Sequence, residues 1–229
     1  MPTVVLIGFS CAGKSNVAAA ARKRWGSDIT TLDSDDWIAA QHQDNMIGKH
    51  IYGLFLKLGR EAALVEIARL EREFLSSQLR SDDAVLIAAG PWLVAPSRNP
   101  ELAAFRERVD PSCILLEVSP ETATKRLEGR RRTQAKKDRV AEHANFRSWD
   151  EGVTSARKGF RWIDLPHDTA LRNVTRLIQG LQPVYGALAL EGNRFPAAHN
   201  DSEREPILAR IADLLGLPGG RRSARDADL

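Results

Sequence analysis

The stretch TVVLIGFSCAGKSNVAAAARKRW, residues 3–25, sets the architecture of this chain. Residues 3–7 form a short β-branched, apolar run that is typical of a buried strand. The segment after Lys14 is rich in alanine and other strong helix formers as far as Trp25. A glycine-containing loop joins the two, so the sequence predicts a strand, a tight loop and a helix in that order.

The loop GFSCAGKS, residues 8–15, matches the phosphate-loop pattern G-x-x-x-x-G-K-[ST]. Its glycines let successive backbone N–H groups point at phosphate oxygens, and the positive end of the helix dipole faces the same anion. The lysine would reach the β- and γ-phosphates, and the hydroxyl after it would bind Mg²⁺. The sequence therefore predicts a nucleoside triphosphate site. The predicted nucleotide-binding residues are Gly8, Cys11, Ala12, Gly13, Lys14, Ser15 and Asn16, with Ser15 also on the metal.

Strands and helices alternate along the first 182 residues. Because parallel strands need a crossover helix between them, this alternation predicts an α/β fold, a parallel sheet with helices on both faces. Residues 183–229 read as a turn-rich extension with one amphipathic helix at 207–217, which would dock on a partner or cover the domain's own sheet edge. Further strands are predicted at 28–33, 83–90, 112–118 and 161–165, and helices at 60–80, 101–109, from 119 onward, at 148–160 and at 168–180.

Composition excludes several classes of protein. Hydrophobic residues make up 43% of the chain, enough for a core, and no apolar run reaches the roughly 18 residues of a membrane span. Neither the N-terminus nor the two cysteines suggest secretion, so we expect a cytoplasmic protein. The basic run 126–139 contains no aromatic residue, which argues against a nucleic-acid partner.

Carboxylates follow the second predicted strand, in the stretch TLDSDDW at 31–37. Ligands of open α/β sheets bind at this carboxyl edge, and residues two apart on an extended chain share a face. We predict that Asp33 supports Mg²⁺ and that Asp35 accepts the proton of an attacking hydroxyl. The alternative is that Asp33, Ser34, Asp35 and Asp36, all good N-cap residues, cap a helix, and one residue could serve both purposes. The chain has no Asn-Lys-x-Asp motif for guanine, and the buried run 85–90 ends in small residues rather than an acid.

Together, GFSCAGKS, LDSD, VLIAAG and ILLEVSPETATKRLEGRR resemble the shikimate kinase family over about residues 3–180. The resemblance implies a three-layer α/β/α fold with a five-stranded parallel sheet in the order 2-3-1-4-5. It also implies ATP and Mg²⁺ as ligands, a small-molecule hydroxyl acceptor, and a lid at about 129–147. The arginines at 130–132 would lie in that lid, with Arg130 on the nucleotide and Arg132 on the γ-phosphate, although which of them reaches it is open.

The chain departs from that family where the acceptor would bind. Leu64 or Val65 stands where the family has a carboxylate-binding arginine, and the family's triple glycine is replaced by Ala88-Ala89-Gly90. A site built around a carboxylate rejects ligands that lack one, so losing the arginine points to a different acceptor. The predicted substrate-binding residues are Asp35, Trp37, Ala89, Gly90, Trp92 and Arg157. For the two tryptophans the alternative is packing in the core or on the surface. For Arg157 the alternative is an exposed position on a helix without a substrate role.

The leading hypothesis is an ATP-dependent phosphotransferase, a monomer or homodimer, in which Lys14, Asp35 and Arg132 are the catalytic residues. A nucleotide-binding module that lacks an acceptor site and acts through partners is one alternative, with 183–229 as its interaction segment. A nucleoside or nucleotide kinase is another.

Overall fold

The structure is a computed structural model, and it describes residues 3–9, 11–40, 58, 62, 65, 66, 69, 70, 73, 74, 84–90, 112–129 and 166–219. Several predicted elements lie outside these residues: the strand at 161–165, the helices at 101–109 and 148–160, and the lid at 129–147 except for its first residue.

The described residues form five strands and five continuous α-helices. The strands are β1 (Thr3–Ile7), β2 (Thr30–Asp33), β3 (Val85–Ala88), β4 (Cys113–Glu117) and β5 (Arg194–Pro196). The helices are α1 (Lys14–Trp25), α2 (Ser34–Ala40), α3 (120–129), α4 (His167–Leu188) and α5 (Asp201–Leu215), and the described residues between 58 and 74 are also helical.

The strands form one parallel sheet in the order β2-β3-β1-β4-β5, which confirms the predicted fold class and strand order. β1 is the central strand: its Val5 lies opposite Ile87 of β3 on one side and Cys113 of β4 on the other. Both faces of such a strand are covered, which explains why the run TVVLI is apolar at successive positions instead of alternating with polar residues.

Alternate residues of the strands enter two cores, one on each face of the sheet. The first core contains Val4 and Leu6 together with Trp25 of α1 and Ile211 of α5. At the C-terminal end of α1, the Trp25 indole N–H donates to the Pro218 carbonyl, which follows α5, at 3.0 Å, and Arg24 pairs with Glu205 of α5 at 2.6 Å. The second core contains Val5, Ile7, Ile87, Phe74, Tyr185 and Leu188.

The fifth strand differs from the sequence prediction. β5 lies at Arg194–Pro196, in a segment that we expected to be turn-rich, and pairs with β4 through Leu115 and Arg194. Three residues that end in proline give no alternating pattern, and proline is tolerated in a strand only at an edge or end. Helix α4 also runs to Leu188 instead of ending near 180, with Pro183 inside it. β5 is a strand because it pairs with β4, and this pairing cannot be inferred from the local sequence pattern.

Helix α5 packs on the sheet of its own domain. It begins after Asn200, whose side chain accepts a hydrogen bond from the Glu203 N–H at 2.9 Å, and its residue Ile211 is fully buried. Of the two roles considered for this helix, its apolar residues take the internal one. Among the described residues, no helix combines the length and apolar character that crossing a bilayer requires.

Replacing Ile211 with alanine should lower the free energy of unfolding by about 2–5 kcal/mol, because it leaves a cavity in the first core. The matched control is Leu190→Ala: that side chain is 53% exposed, so its loss should change stability by less than about 0.5 kcal/mol. Urea unfolding followed by circular dichroism measures both. Equal effects would show that α5 does not contribute to the core.

Candidate functional site

The loop between β1 and α1 has a backbone that only glycine fits at two positions. Gly8 has φ +141° and Gly13 has φ +97°, both outside the usual range of residues with a side chain. A Cβ atom at Gly8 would lie 2.4 Å from the Leu116 carbonyl oxygen, and one at Gly13 would lie 2.6 Å from that of Ala198. The loop is therefore held between β4 and the segment that follows β5.

Lys14 folds back over this loop. Its ammonium group donates to the carbonyl oxygens of Gly8, at 2.9 Å, and Phe9, at 3.2 Å. The first residue of α1 thus places a positive charge beside the loop and the N-terminal end of the helix, where an anion is favoured by the helix dipole. This arrangement suits the binding of phosphate groups.

Ser15 and Asp33 lie together at the carboxyl edge of the sheet. The Ser15 hydroxyl donates to Asp33 Oδ2 at 2.8 Å, although the residues are 18 positions apart in the chain. Asp33 Oδ1 also accepts from the Asp36 N–H at 3.5 Å, so Asp33 caps α2 as well. An exposed hydroxyl and a carboxylate are the hard oxygen ligands that Mg²⁺ takes alongside phosphate and water, and the pair fits that ion.

Asp35 is not on an extended chain. β2 ends at Asp33 and α2 begins at Ser34, so Asp35 lies in the first turn of a helix, and the argument from strand alternation does not apply to it. The structure describes its backbone and not its side chain. Its proposed catalytic role stays a prediction.

Ser34 connects the two sides of the site. Its side chain is 1% exposed, and its hydroxyl oxygen accepts a hydrogen bond from the Gly90 N–H at 2.7 Å. Ala89 beside it is buried in the second core, and its N–H donates to the Leu6 carbonyl at 3.0 Å. The end of β3 is thus fastened to the start of α2. The sequence singled out Ala89 and Gly90 but missed Ser34, which looked like one more capping residue.

Trp37 packs against Phe74, with the ring centroids 5.3 Å apart and the rings tilted by 55°. This contact fits the packing alternative considered for that tryptophan and leaves its role toward a substrate a prediction. Four other predicted site residues lie outside the described part of the chain: Trp92, Arg130, Arg132 and Arg157.

Sequence reasoning missed a second group beside the loop. The Arg126 guanidinium of α3 donates to the Cys11 carbonyl and to a ring nitrogen of His199. Burial lowers the pKa of the His199 imidazole, the charge of Arg126 lowers it further, and Glu203 acts in the opposite direction. The ring is therefore neutral at pH 7 and accepts the Arg126 hydrogen bond. The basic run contained Arg126, but no local pattern pointed to His199.

Comparisons with known proteins agree with this geometry. The family model described as "AAA domain" matches residues 4–152. A curated shikimate kinase from Thermobifida fusca (strain YX) is 32% identical over 126 residues, which are 55% of this chain and 63% of that protein. This chain thus spans less than two thirds of that relative's length.

Solved shikimate kinases share the fold at low sequence identity. The structure from Bacteroides thetaiotaomicron is 16% identical with a TM-score of 0.59, and the comparison covers 94% of this chain and 99% of that one. The structure from Aquifex aeolicus vf5 is 16% identical with a TM-score of 0.54, and the corresponding shares are 93% and 99%.

Replacing Gly13 with alanine should lower the free energy of unfolding by about 1–3 kcal/mol, because the new methyl group meets the Ala198 carbonyl and a left-handed backbone is unfavourable for alanine. The control is Gly180→Ala inside α4, where the added carbon meets no atom within 4 Å apart from its chain neighbours and the nearby backbone of its own helix. That change should raise stability by about 0.5–1 kcal/mol, because alanine favours a helix. Thermal unfolding of both variants measures the difference, and a stabilised Gly13→Ala variant would contradict the packing described.

Proposed function

We propose that this chain, which belongs to the AAA domain family and has the fold of a shikimate kinase-like P-loop kinase, transfers the γ-phosphoryl group of ATP to a hydroxyl group of a small molecule. The observation that carries the proposal is the position of the Ser15–Asp33 pair immediately beside the phosphate loop and its lysine. Charge for the phosphates and oxygen ligands for a divalent ion are thereby on one edge of the sheet.

In this proposal, each described residue of the phosphate and metal site has a part in binding ATP and Mg²⁺. Lys14 exchanges the carbonyls of Gly8 and Phe9 for phosphate oxygens, which are charged and therefore stronger acceptors. Ser15 and Asp33 hold Mg²⁺, directly or through water. When bound, that ion would offset the negative charge of the phosphates. Cys11, Ala12 and Gly13 belong to the phosphate loop and Asn16 to the first turn of α1, and in this proposal they bind the nucleotide with Lys14.

Transfer then needs one nucleophile and one proton acceptor. The acceptor's hydroxyl oxygen forms a bond to the γ-phosphorus, the bond from that phosphorus to the bridging β–γ oxygen breaks, and ADP leaves. In this proposal Asp35 takes the hydroxyl proton, and Arg130 and Arg132 offset charge on the phosphates. The two arginine roles come from the family resemblance, and the role of Asp35 comes from its place just after β2, at the carboxyl edge of the sheet.

The acceptor is proposed to differ from shikimate. Leu64 or Val65 stands where the resemblance places a carboxylate-binding arginine, and Ala88-Ala89 replaces two glycines. In the structure, the exposed side chain of Val65 offers no charge, and the Gly90 N–H already donates to Ser34. A neutral hydroxyl compound, such as a polyol or a hydroxylated ring, meets these features better than an anion does.

Acceptor-dependent ATP consumption should be measured with a panel of polyols, hydroxylated ring compounds, nucleosides and shikimate. We expect turnover with a neutral member and little or none with shikimate. Tight binding of ATP·Mg²⁺ without turnover by any acceptor would favour a nucleotide-binding module instead of an enzyme. Preferred turnover of shikimate would overturn the proposed change of acceptor.

Replacing Asp35 with asparagine should lower kcat by about 10²–10⁴-fold, since the general base is lost, and leave the Kd for ATP·Mg²⁺ within about twofold. Asp28→Asn, at the exposed turn before β2, is the matched control and should keep wild-type turnover. Titration calorimetry and steady-state kinetics separate the two quantities. If ATP affinity falls as far as turnover does, Asp35 is not the base.

A further inference from the structure

The carbonyl oxygen of Gly8 accepts hydrogen bonds from two side chains. One donor is the Lys14 ammonium group at 2.9 Å, and the other is the Tyr185 hydroxyl at 3.3 Å. Tyr185 lies 177 residues further along the chain, in the last turn of α4. A tyrosine of the second core thus reaches the first residue of the phosphate loop.

The Gly8 carbonyl has little access to water. Gly8 is buried, and its backbone runs so close to β4 that no side chain fits there. A buried carbonyl without a donor is unfavourable, so the identity of its partners affects how easily the loop changes state. Because the Gly8 carbonyl oxygen has these two donors, either donor is able to leave while the carbonyl stays hydrogen-bonded to the other.

Tyr185 is suited to remain when the other donor leaves. Its side chain is 5% exposed and packs in the second core, which includes Ile7 next to the loop. Burial raises the pKa of its phenol to about 12, so the hydroxyl keeps its proton and stays a donor at neutral pH. Lys14, by contrast, sits on a flexible stem at the edge of the site.

We propose that Tyr185 is a positioning residue for the phosphate loop: it keeps the Gly8 carbonyl paired after Lys14 turns from that carbonyl to the phosphates of bound ATP. The inference rests on the proposed function for the movement of Lys14, and on the two observed hydrogen bonds for the shared carbonyl. Tyr185 touches no reacting atom and acts through the loop.

The test is Tyr185→Phe, which removes the hydroxyl and keeps the ring. The Kd for ATP·Mg²⁺ should rise about three- to tenfold, the usual size for one hydrogen bond, while the unfolding midpoint of the nucleotide-free protein changes little because Lys14 still pairs with Gly8. Thr175→Val removes a hydroxyl that donates to the Leu171 carbonyl at 2.8 Å on the same helix, and should leave the Kd unchanged. An unchanged Kd in Tyr185→Phe, or a lower unfolding midpoint with an unchanged ATP-induced shift, would overturn the proposal.

A double-mutant cycle tests the shared carbonyl without nucleotide. With Lys14→Met as background, Tyr185→Phe removes the second of the two donors described for Gly8 and should lower the unfolding midpoint more than it does in the wild type. Equal losses in the two backgrounds would show that the side chains do not share this acceptor, and would refute the inference. If the wild type fails to bind ATP·Mg²⁺ while the cycle shows coupling, the proposed function is rejected and the shared carbonyl stands.

Discussion

The phosphate loop is wedged between two backbone carbonyls, and the rest of the described site depends on this close approach. Leu116 at the end of β4 limits Gly8, and Ala198 after β5 limits Gly13. Leu116 belongs to β4 and Ala198 to the segment after β5, and both reach these places only when the parallel sheet is complete. The shape of the loop therefore depends on the whole sheet, although the phosphate-loop motif itself is eight residues long.

Two adjacent residues at the start of α2, Asp33 and Ser34, hold the two sides of the site. Asp33 accepts a hydrogen bond from the Ser15 hydroxyl on the phosphate side, and Ser34 accepts one from the Gly90 N–H, which follows β3. Adjacent residues thus face two different partners, one at the proposed metal site and one at the wall where the acceptor is proposed to bind. A shift of α2 would move both, so the two halves of the site keep a fixed separation.

Local chemistry decided which parts of this structure were predictable. The phosphate loop, β1 and α1 are visible in sequence because glycine, lysine and helix formers carry their own conformational preferences. The order of the sheet followed from the family resemblance. By contrast, β5 is three residues long, His199 meets Arg126 across 73 positions, and Tyr185 meets Gly8 across 177. Such contacts form only when distant segments pack together, and the periodicity of apolar residues in the sequence does not predict them. Asp35 shows the opposite error, since a local rule for strands was extended two residues into a helix.

The packing of α5 on α1 has a consequence for how the protein folds. Trp25 and Arg24 contact Pro218 and Glu205, far along the chain. The residues of β1 pair with residues 82 positions away in β3 and 108 positions away in β4. Such distant pairs raise the contact order of the fold, which slows folding because long loops must close before these contacts form. During synthesis, the phosphate loop would leave the ribosome long before α5 exists to cover its core. The early segments therefore spend that interval without their partners, with apolar surface exposed that the finished fold buries.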